Sequence, residues 1–250
     1  MKREILMSGH SKWKNIMHKK AKGDAARAKI FTQIGREISV AVKEGGGDPV
    51  SNSKLRDLIA KAKSNNVPND NIDRMIKKAA GGDDKTNYEK LTYEGYGPCG
   101  VAIIVETLTD NKNRTASEVR HCFDKNGGNM GQTGCVGWMF TSKGVIVTDK
   151  AKGEQTLDDA LELGAEDFTE EDEAYVISTA PNDVTSVREG LEAKGYNVLS
   201  AESEMVPSNY VTVNGEEEQK LMRRLLEMLD DDDDVTNVFH NLENEDEIME

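Results

Sequence analysis

Basic side chains are concentrated near the start of the chain, where almost no acidic side chain accompanies them. Residues 9–36 contain eight Lys or Arg and a single acid, Asp24. Such unpaired positive charge favours a polyanion, because contacts to phosphates release the counterions condensed around a nucleic acid. This composition therefore predicts a surface that contacts nucleic-acid phosphates. The lysines of its first part are Lys12, Lys14, Lys19, Lys20 and Lys22.

Trp13 and His18 lie among these lysines. An aromatic side chain beside basic residues can stack on a nucleobase. The alternative is that Trp13 docks this basic arm onto the folded part of the chain, and the sequence leaves both interpretations open. His18 can add a contact, although its imidazole is largely neutral at pH 7. Both residues are counted as candidate nucleic-acid-binding residues.

The charge of the whole chain hides this basic region. The 250 residues carry a formal net charge of −14. Residues 1–80 contain 18 Lys or Arg against 8 Asp or Glu, a net of +10, and residues 81–250 carry a net of −24. This asymmetry predicts a basic nucleic-acid-binding part attached to an acidic body. The acidic part would point away from the nucleic acid or bind a protein partner.

Residue patterns typical of catalysis or metal binding are missing from the linear sequence. The cysteines Cys99, Cys122 and Cys135 form no CxxC pair, and the four histidines form no HExxH motif. The glycine-rich segment 127–131 lacks the Gly-Lys-Ser/Thr of a phosphate-binding loop. No Ser-His-Asp or Cys-His arrangement is recognisable. We therefore expect no enzyme activity, no metal site and no cofactor.

The same sequence features predict a cytoplasmic protein without a membrane partner. An odd number of scattered cysteines is typical of reduced thiols in the cytosol. The longest purely aliphatic run, Val101–Val105, is too short to span a bilayer. The first residues, MKREILM, lack the apolar stretch of a signal peptide. Met7 is a second candidate start of translation.

Three amphipathic helices are predicted after the basic arm. From Asp24, a candidate N-cap, apolar residues recur at three- and four-residue spacing until the Gly45–Gly47 turn. The same spacing predicts a second helix over 55–62. A third helix over 70–79, capped by Asp70, ends at Gly81 and Gly82. The short links between the helices predict a three-helix bundle.

The first of these helices carries a basic stripe. Its positions recur every seven residues, a spacing that drifts by only about 20° per heptad and lies nearly opposite the apolar side. Arg27 departs from this pattern because it falls on the apolar flank. The alternatives are an ordinary solvated face or a surface for an acidic protein or a membrane; the shortage of acids favours nucleic acid. The stripe contains Lys22, Lys29, Arg36 and Lys43.

The second and third helices also resemble a helix-turn-helix. In that arrangement the third helix would present Asn71, Arg74, Lys77 and Lys78 to the nucleic acid. The link from Ser64 to Asn69 is longer than the usual turn of three or four residues. Packing within the bundle is therefore the competing interpretation.

After residue 82 the periodicity changes to that of strands alternating with helices. The middle of the chain predicts a strand over 100–107, a helix over 115–125 and a strand over 136–140. From residue 144 to residue 205 the order is βαββαβ, which is typical of a ferredoxin-like unit.

The end of the chain predicts one more helix, over 218–229, and one more strand, over 235–240. These two elements cannot bury their apolar faces alone, so we expect them to fold back onto the middle segment. The predicted fold class is α+β multidomain, with an N-terminal three-helix bundle and two α/β domains, the last ferredoxin-like. The predicted bounds are 1–23 for the arm, 24–82 for the bundle, 83–141 plus 207–250 for a discontinuous α/β domain, and 142–206 for the inserted ferredoxin-like domain.

Three polar segments between these elements are assigned no specific chemistry. Residues 110–114 are either a binding loop or a turn followed by a helix cap. Residues 127–131 favour a flexible hairpin-type connection. The run Asp230–Asp234 lacks the spacing of a calcium loop, so we expect a solvated loop.

Long sequence motifs resemble those of the YebC/PmpR family, over almost the whole chain from Met7. The resemblance implies three domains around a cleft and a transcriptional regulatory protein that acts on DNA. A mitochondrial branch of similar proteins is a translational activator of cytochrome c oxidase, which makes ribosomal RNA or mRNA the alternative target. No catalytic or ligand residues come with the resemblance. The motifs include GHSKW, KAKGDAARAKIFTQIGREI, YEGYGPCGVAIIVETLTDNKNRTASEVRHCFDKNGGNMG and LMRRLLEMLDDDDDV.

Overall fold

The computed structural model describes residues 24–81, 86–171 and 173–249, with side chains from Ala28 onward. These residues form two compact units. The bundle–sheet unit contains residues 24–137 and 211–244, and the ferredoxin-like unit contains residues 138–210 and 245–249. The α+β multidomain class predicted from the sequence is confirmed. None of the helices in the described ranges is long and apolar enough to cross a membrane.

In the described ranges the helices and strands follow the predicted order closely, with two short 3-10 turns at Pro98–Gly100 and Gly137–Met139. The helices are α1 (Asp24–Gly45), α2 (Ser53–Ser64), α3 (Asn69–Ala80), α4 (Lys112–Lys125), α5 (Gln155–Glu162), α6 (Val184–Ala193), α7 (Glu216–Asp231) and α8 (Glu245–Met249). The strands are β1 (Glu89–Tyr96), β2 (Ala102–Thr109), β3 (Asn129–Met130), β4 (Phe140–Asp149), β5 (Asp167–Glu170), β6 (Ala174–Thr179), β7 (Val198–Pro207) and β8 (Val235–His240).

Helices α1, α2 and α3 form the predicted three-helix bundle. The apolar side of α1 is fully buried at Ile34 and Ile38, and it packs with Leu55 of α2 and Ile72 of α3. The amide of Leu55 donates to the side-chain oxygen of Asn52, which caps the start of α2. The bundle therefore holds α3 with its apolar side inward and its polar side toward solvent.

The connection between α2 and α3 is shorter than the sequence indicates. Helix α2 continues to Ser64 and α3 begins at Asn69, which leaves four linking residues. Asn66 adopts a left-handed backbone conformation with φ of 58°, which turns the chain sharply. The N-cap of α3 is Pro68, and the predicted cap, Asp70, lies in the first turn. The length of this link is therefore no objection to a helix-turn-helix, and the length expected from the sequence was wrong.

The sheet of the bundle–sheet unit has the order β3-β1-β2-β8, with all pairs antiparallel. Its last strand, β8, comes from the end of the chain and pairs with β2 from Ile103 to Thr107. Strand β1 is not predicted from the sequence, because its residues, EKLTYEGY, include no aliphatic run and its first half is largely exposed. The sheet thus joins segments that are remote from each other in the sequence.

The ferredoxin-like unit has the strand order β5-β6-β4-β7 with helices α5 and α6. Ile146 and Ile177 on the sheet pack with Val187 and Leu191 of α6, and all four are fully buried. The predicted βαββαβ order is confirmed. The strand predicted over 136–140 is wrong, because Gly137–Met139 is a 3-10 turn and β4 runs without a break from Phe140 to Asp149.

A buried carboxylate fixes the loop before that turn. Glu94 on β1 is only 6% exposed, and its oxygens accept hydrogen bonds from the amides of Gly134 at 2.8 Å, Val136 at 2.8 Å and Gly137 at 2.7 Å. Burial alone would raise the pKa of Glu94, but the three amide donors outweigh it and hold the pKa below its ordinary value. Glu94 therefore stays ionised and organises a segment for which the sequence pattern predicts a strand.

Replacing Glu94 by glutamine is expected to destabilise the chain by about 1 to 3 kcal/mol, because one oxygen becomes an NH₂ group that faces amide donors. Urea denaturation of the full chain measures this loss. The matched control is Glu89→Gln at the exposed start of the same strand, which should change stability by less than about 0.5 kcal/mol. Equal losses in the two variants would contradict the role assigned to Glu94.

Candidate nucleic-acid interface

The basic stripe of α1 lies against the end of the same chain. The amine of Lys29 donates to the backbone carbonyl of Asp230 in the last turn of α7. One turn further along α1, the side-chain amide of Gln33 donates to the backbone carbonyl of Val235 at the start of β8. The run Asp230–Asp234, hereafter the acidic loop, is therefore the immediate neighbour of α1.

Arg36 binds the acidic loop through both a side chain and the backbone. Its Nη1 donates to a carboxylate oxygen of Asp234 at 2.8 Å, to the carbonyl of Asp233 at 2.8 Å and to the carbonyl of Leu108 at 3.3 Å. Its guanidinium also lies 5.8 Å from the centroid of the Tyr88 ring. The Arg36 side chain is 18% exposed. Arg36 thus joins the bundle to the sheet.

Asp234 is the hub of this contact. It is only 3% exposed, and its second carboxylate oxygen accepts hydrogen bonds from Thr109 at 3.0 Å, Arg114 at 2.6 Å and Thr115 at 2.7 Å. Burial alone would raise the pKa of Asp234, but these donors together with Arg36 hold it below its ordinary value. The carboxylate therefore stays ionised inside the unit.

The structure corrects one sequence expectation and decides between the two alternatives of another. The acidic loop is not simply solvated: Asp231 and Asp233 are exposed, whereas Asp234 is buried. Residues 110–114 are a turn followed by a cap, since the side chain of Asn111 accepts from the amide of Arg114 at 3.2 Å and α4 begins at Lys112. The side chain of Arg114 then reaches Asp234. No local sequence signal indicates this pairing, because its partners lie 120 residues apart.

Glu118, Asp232 and Asp234 place three carboxylates within 4.8 Å of one another, a spacing that could hold a metal ion. Burial and the neighbouring acids raise the pKa of both Glu118 and Asp232. The third carboxylate, Asp234, is already neutralised by Arg36 and Arg114. The donor set is thus compensated by arginines of the same chain, and we assign no metal to it.

The expectation of an unpaired stripe on α1 is wrong for Lys29 and Arg36, because both are engaged with the acidic loop or its backbone. Burial lowers the pKa of Lys29 even though the four nearest acids of the loop raise it. Lys43, further along the stripe, is exposed, and its amine donates to the carbonyl of Thr86 at 2.5 Å. A helical projection shows which side of α1 is basic, but it does not show what packs there.

The outer side of α3 presents the other predicted basic group. Arg74, Lys77 and Lys78 are all exposed, and at about 100° per residue they project roughly opposite the buried Ile72 and Ala79. Within the described ranges none of the three pairs with an acidic side chain. We call these three residues the α3 basic face.

The remaining predicted residues belong to the arm and to the first position of the stripe. They lie outside the described residues and stay predictions: Lys12, Trp13, Lys14, His18, Lys19, Lys20 and Lys22. The described part of the predicted site thus places Lys29 and Arg36 against the acidic loop, whereas Lys43 and the α3 basic face are exposed.

Comparison with known proteins gives one consistent family. Residues 11–82 match the TACO1/YebC protein N-terminal domain, and residues 88–242 match the TACO1/YebC second and third domain. A protein of Caldicellulosiruptor bescii is 57% identical over 96% of this chain and 100% of its own length. One of Acetivibrio thermocellus is 58% identical over 94% of this chain and 98% of its own length. Both are named "Probable transcriptional regulatory protein".

A solved structure agrees with these relatives. The crystal structure of a conserved hypothetical protein from Aquifex aeolicus has a TM-score of 0.81 and 43% sequence identity, and the match covers 89% of this chain and 93% of that one. The family matches and the relatives extend over both compact units. The chain therefore belongs to the TACO1/YebC family.

Proposed function

We propose that this protein is a nucleic-acid-binding regulator of gene expression, with DNA as its target, and that it docks on phosphates through the α3 basic face. The observation that carries the proposal is the exposure of Arg74, Lys77 and Lys78 together on one side of a helix, without acidic partners among the described residues. The name shared by the relatives supports a role in transcription.

The proposed mechanism is electrostatic docking followed by orientation. Lysine and arginine contacts to phosphates fix position on a duplex without reading its sequence. The remainder of the chain after residue 80 has a net charge of −24 and is repelled by the same polyanion. It would therefore point away from the nucleic acid and stay available to a protein partner. The proposal includes no catalytic step, and we propose the cytoplasm as its compartment.

The alternative is a ribosome- or RNA-associated translation factor, and one feature of α3 favours it. In a helix-turn-helix, residues near the start of the recognition helix contact the base edges. Here the first half of α3 carries Asp70 and Asp73, which are both exposed and acidic. This end of the helix is poorly suited to approach a DNA groove. If α3 contacts only the phosphate backbone, structured RNA can provide those phosphates as well as DNA can.

Crosslinking in living cells, followed by sequencing of the bound DNA and RNA, tests the proposal. Enrichment of promoter DNA is the expected result. Enrichment of ribosomal RNA, together with cosedimentation of the protein with ribosomes, would favour the translation factor instead. Recovery of neither above the level of an unrelated acidic protein would contradict both functions. A variant lacking the α3 basic face, crosslinked in parallel, shows whether recovery depends on this surface.

A further inference from the structure

The contact between α1 and the acidic loop has the chemistry of a protein–phosphate contact. Arg36 donates to a carboxylate and to a carbonyl, and Lys29 donates to a second carbonyl at the other end of the loop. Guanidinium and ammonium groups bind phosphate oxygens with the same charge-assisted hydrogen bonds. The loop therefore fills basic positions that a phosphodiester backbone would also fit.

The contact is also built so that it can open. Asp231 and Asp233 are exposed, so the outer side of the acidic loop faces solvent. Asp234 would keep three donors, Thr109, Arg114 and Thr115, after Arg36 left it. Release of Arg36 therefore takes the donor from Oδ1 but leaves the carboxylate paired with Arg114 through Oδ2, which reduces the usual large cost of breaking a buried ion pair.

Lys29 is the weaker half of the contact. Its amine donates to a backbone carbonyl instead of a carboxylate, and it is half-buried. Burial lowers its pKa although the acids of the loop raise it. A phosphodiester oxygen carries negative charge itself, so it would pair with the ammonium directly, which the neutral carbonyl of Asp230 does not do.

We propose that the acidic loop is an internal competitor of nucleic acid: it occupies Lys29 and Arg36 in the resting chain, and a phosphodiester backbone displaces it. Displacement frees Lys29 and Arg36, which then add to the α3 basic face and enlarge the binding surface. This inference rests on the proposed function and concerns the regulation of the same surface. DNA and RNA share the phosphodiester chemistry, so the test uses both.

The test measures the affinity of the full chain for a fluorescent DNA duplex and for an RNA duplex of the same sequence. The loop variant carries Asp230→Asn, Asp231→Asn and Asp233→Asn, and it keeps both Asp232 and the buried Asp234. The matched control removes three exposed acids from the ferredoxin-like unit: Asp158→Asn, Glu166→Gln and Glu173→Gln. Both variants therefore have the same net charge.

The loop variant is expected to bind about tenfold more tightly than the natural chain, and its salt dependence should be steeper by about 0.9 for each additional phosphate that it binds. The control should bind within about twofold of the natural chain, because its three acids are not among those that act on Lys29. Adding Lys29→Gln to the loop variant should remove a large part of the increase in affinity. If the loop variant binds only the DNA duplex more tightly, DNA is the nucleic acid that displaces the loop; if it binds only the RNA duplex more tightly, RNA is.

Equal affinities of the loop variant and the control would overturn the inference. If that binding still depended on Arg74, Lys77 and Lys78, the proposed function would stand without it. Absence of binding to either duplex by every protein would overturn both. Should the triple variant unfold in urea well before the natural chain, the single exposed substitution Asp233→Asn tests the same point, with binding about twofold tighter expected and unchanged binding overturning the inference.

Discussion

Replacing Asp234 by asparagine is expected to destabilise the bundle–sheet unit by about 2 to 3 kcal/mol. The substitution removes the carboxylate that pairs with both Arg36 and Arg114. Arg36 is 18% exposed and would lose its carboxylate partner, keeping the backbone carbonyls and the Tyr88 ring as neutral contacts. Arg114 is 41% exposed, so water compensates part of its loss and the expected effect stays at the low end for a broken buried pair.

Hydrogen–deuterium exchange of the β2 amides measures this loss, because exchange in central strands reports the opening of the whole unit. The matched control is Asp231→Asn in the same acidic loop, where the side chain is exposed. It should change the opening free energy by less than about 0.5 kcal/mol. If Asp234→Asn behaved like this control, Asp234 would not be the hub of the contact.

The difference in stability between the natural chain and the Asp234→Asn variant has a predictable pH dependence. The pKa of Asp234 in the folded chain lies below its ordinary value, so the carboxylate binds protons more readily after unfolding. Its contribution to stability is therefore complete above the unfolded pKa of about 3.9 and is lost as the pH falls through the folded pKa. The stability difference between the natural chain and Asp234→Asn should shrink on acidification, and a difference that grew would contradict this assignment.

Neutralising the α3 basic face with Arg74→Gln, Lys77→Gln and Lys78→Gln is expected to weaken nucleic-acid binding about 100-fold at physiological salt. Each phosphate contact adds about 0.9 to the salt slope, which corresponds to roughly fivefold in affinity at about 0.15 M salt. The three side chains point away from the bundle core, so stability should change by less than about 0.5 kcal/mol for each substitution. Fluorescence anisotropy on a DNA duplex measures the affinity.

The chain offers a closely matched control on α4. Lys112→Gln, Arg120→Gln and Lys125→Gln remove one arginine and two lysines, all exposed, from the same unit. If binding depended on net charge alone, the α3 variant and the α4 variant would lose the same amount of affinity. Docking through α3 predicts that the α4 variant keeps its affinity within about threefold.

Local sequence patterns predicted most of the elements correctly, because they depend on the spacing of apolar residues. The period of Ile34, Ile38 and Ala41 indicates α1, and the alternation of short strands and helices after Gly144 indicates the ferredoxin-like order. Strand β1 is not recognisable in the sequence, because half of it is exposed and its apolar residues are few. Its place in the sheet is determined by pairing with β2, which no local pattern reports.

The candidate site was harder to predict because its neighbours are remote in sequence. The projection of α1 correctly put Lys29 and Arg36 on one side of the helix. The acids that meet them lie about 200 residues later, and only the return of β8 to β2 brings them there. The α3 basic face is different, since exposure follows directly from the positions of Ile72 and Ala79 on the same short helix.

Contacts of Arg74, Lys77 and Lys78 to phosphates would be visible in the salt dependence of binding. The quantity to measure is the slope of log affinity against log salt for a DNA duplex, with the natural chain and with the variant that lacks the α3 basic face. Loss of three phosphate contacts predicts a slope shallower by about 2.7 in the variant. Equal slopes for the two proteins would mean that α3 does not contact phosphates.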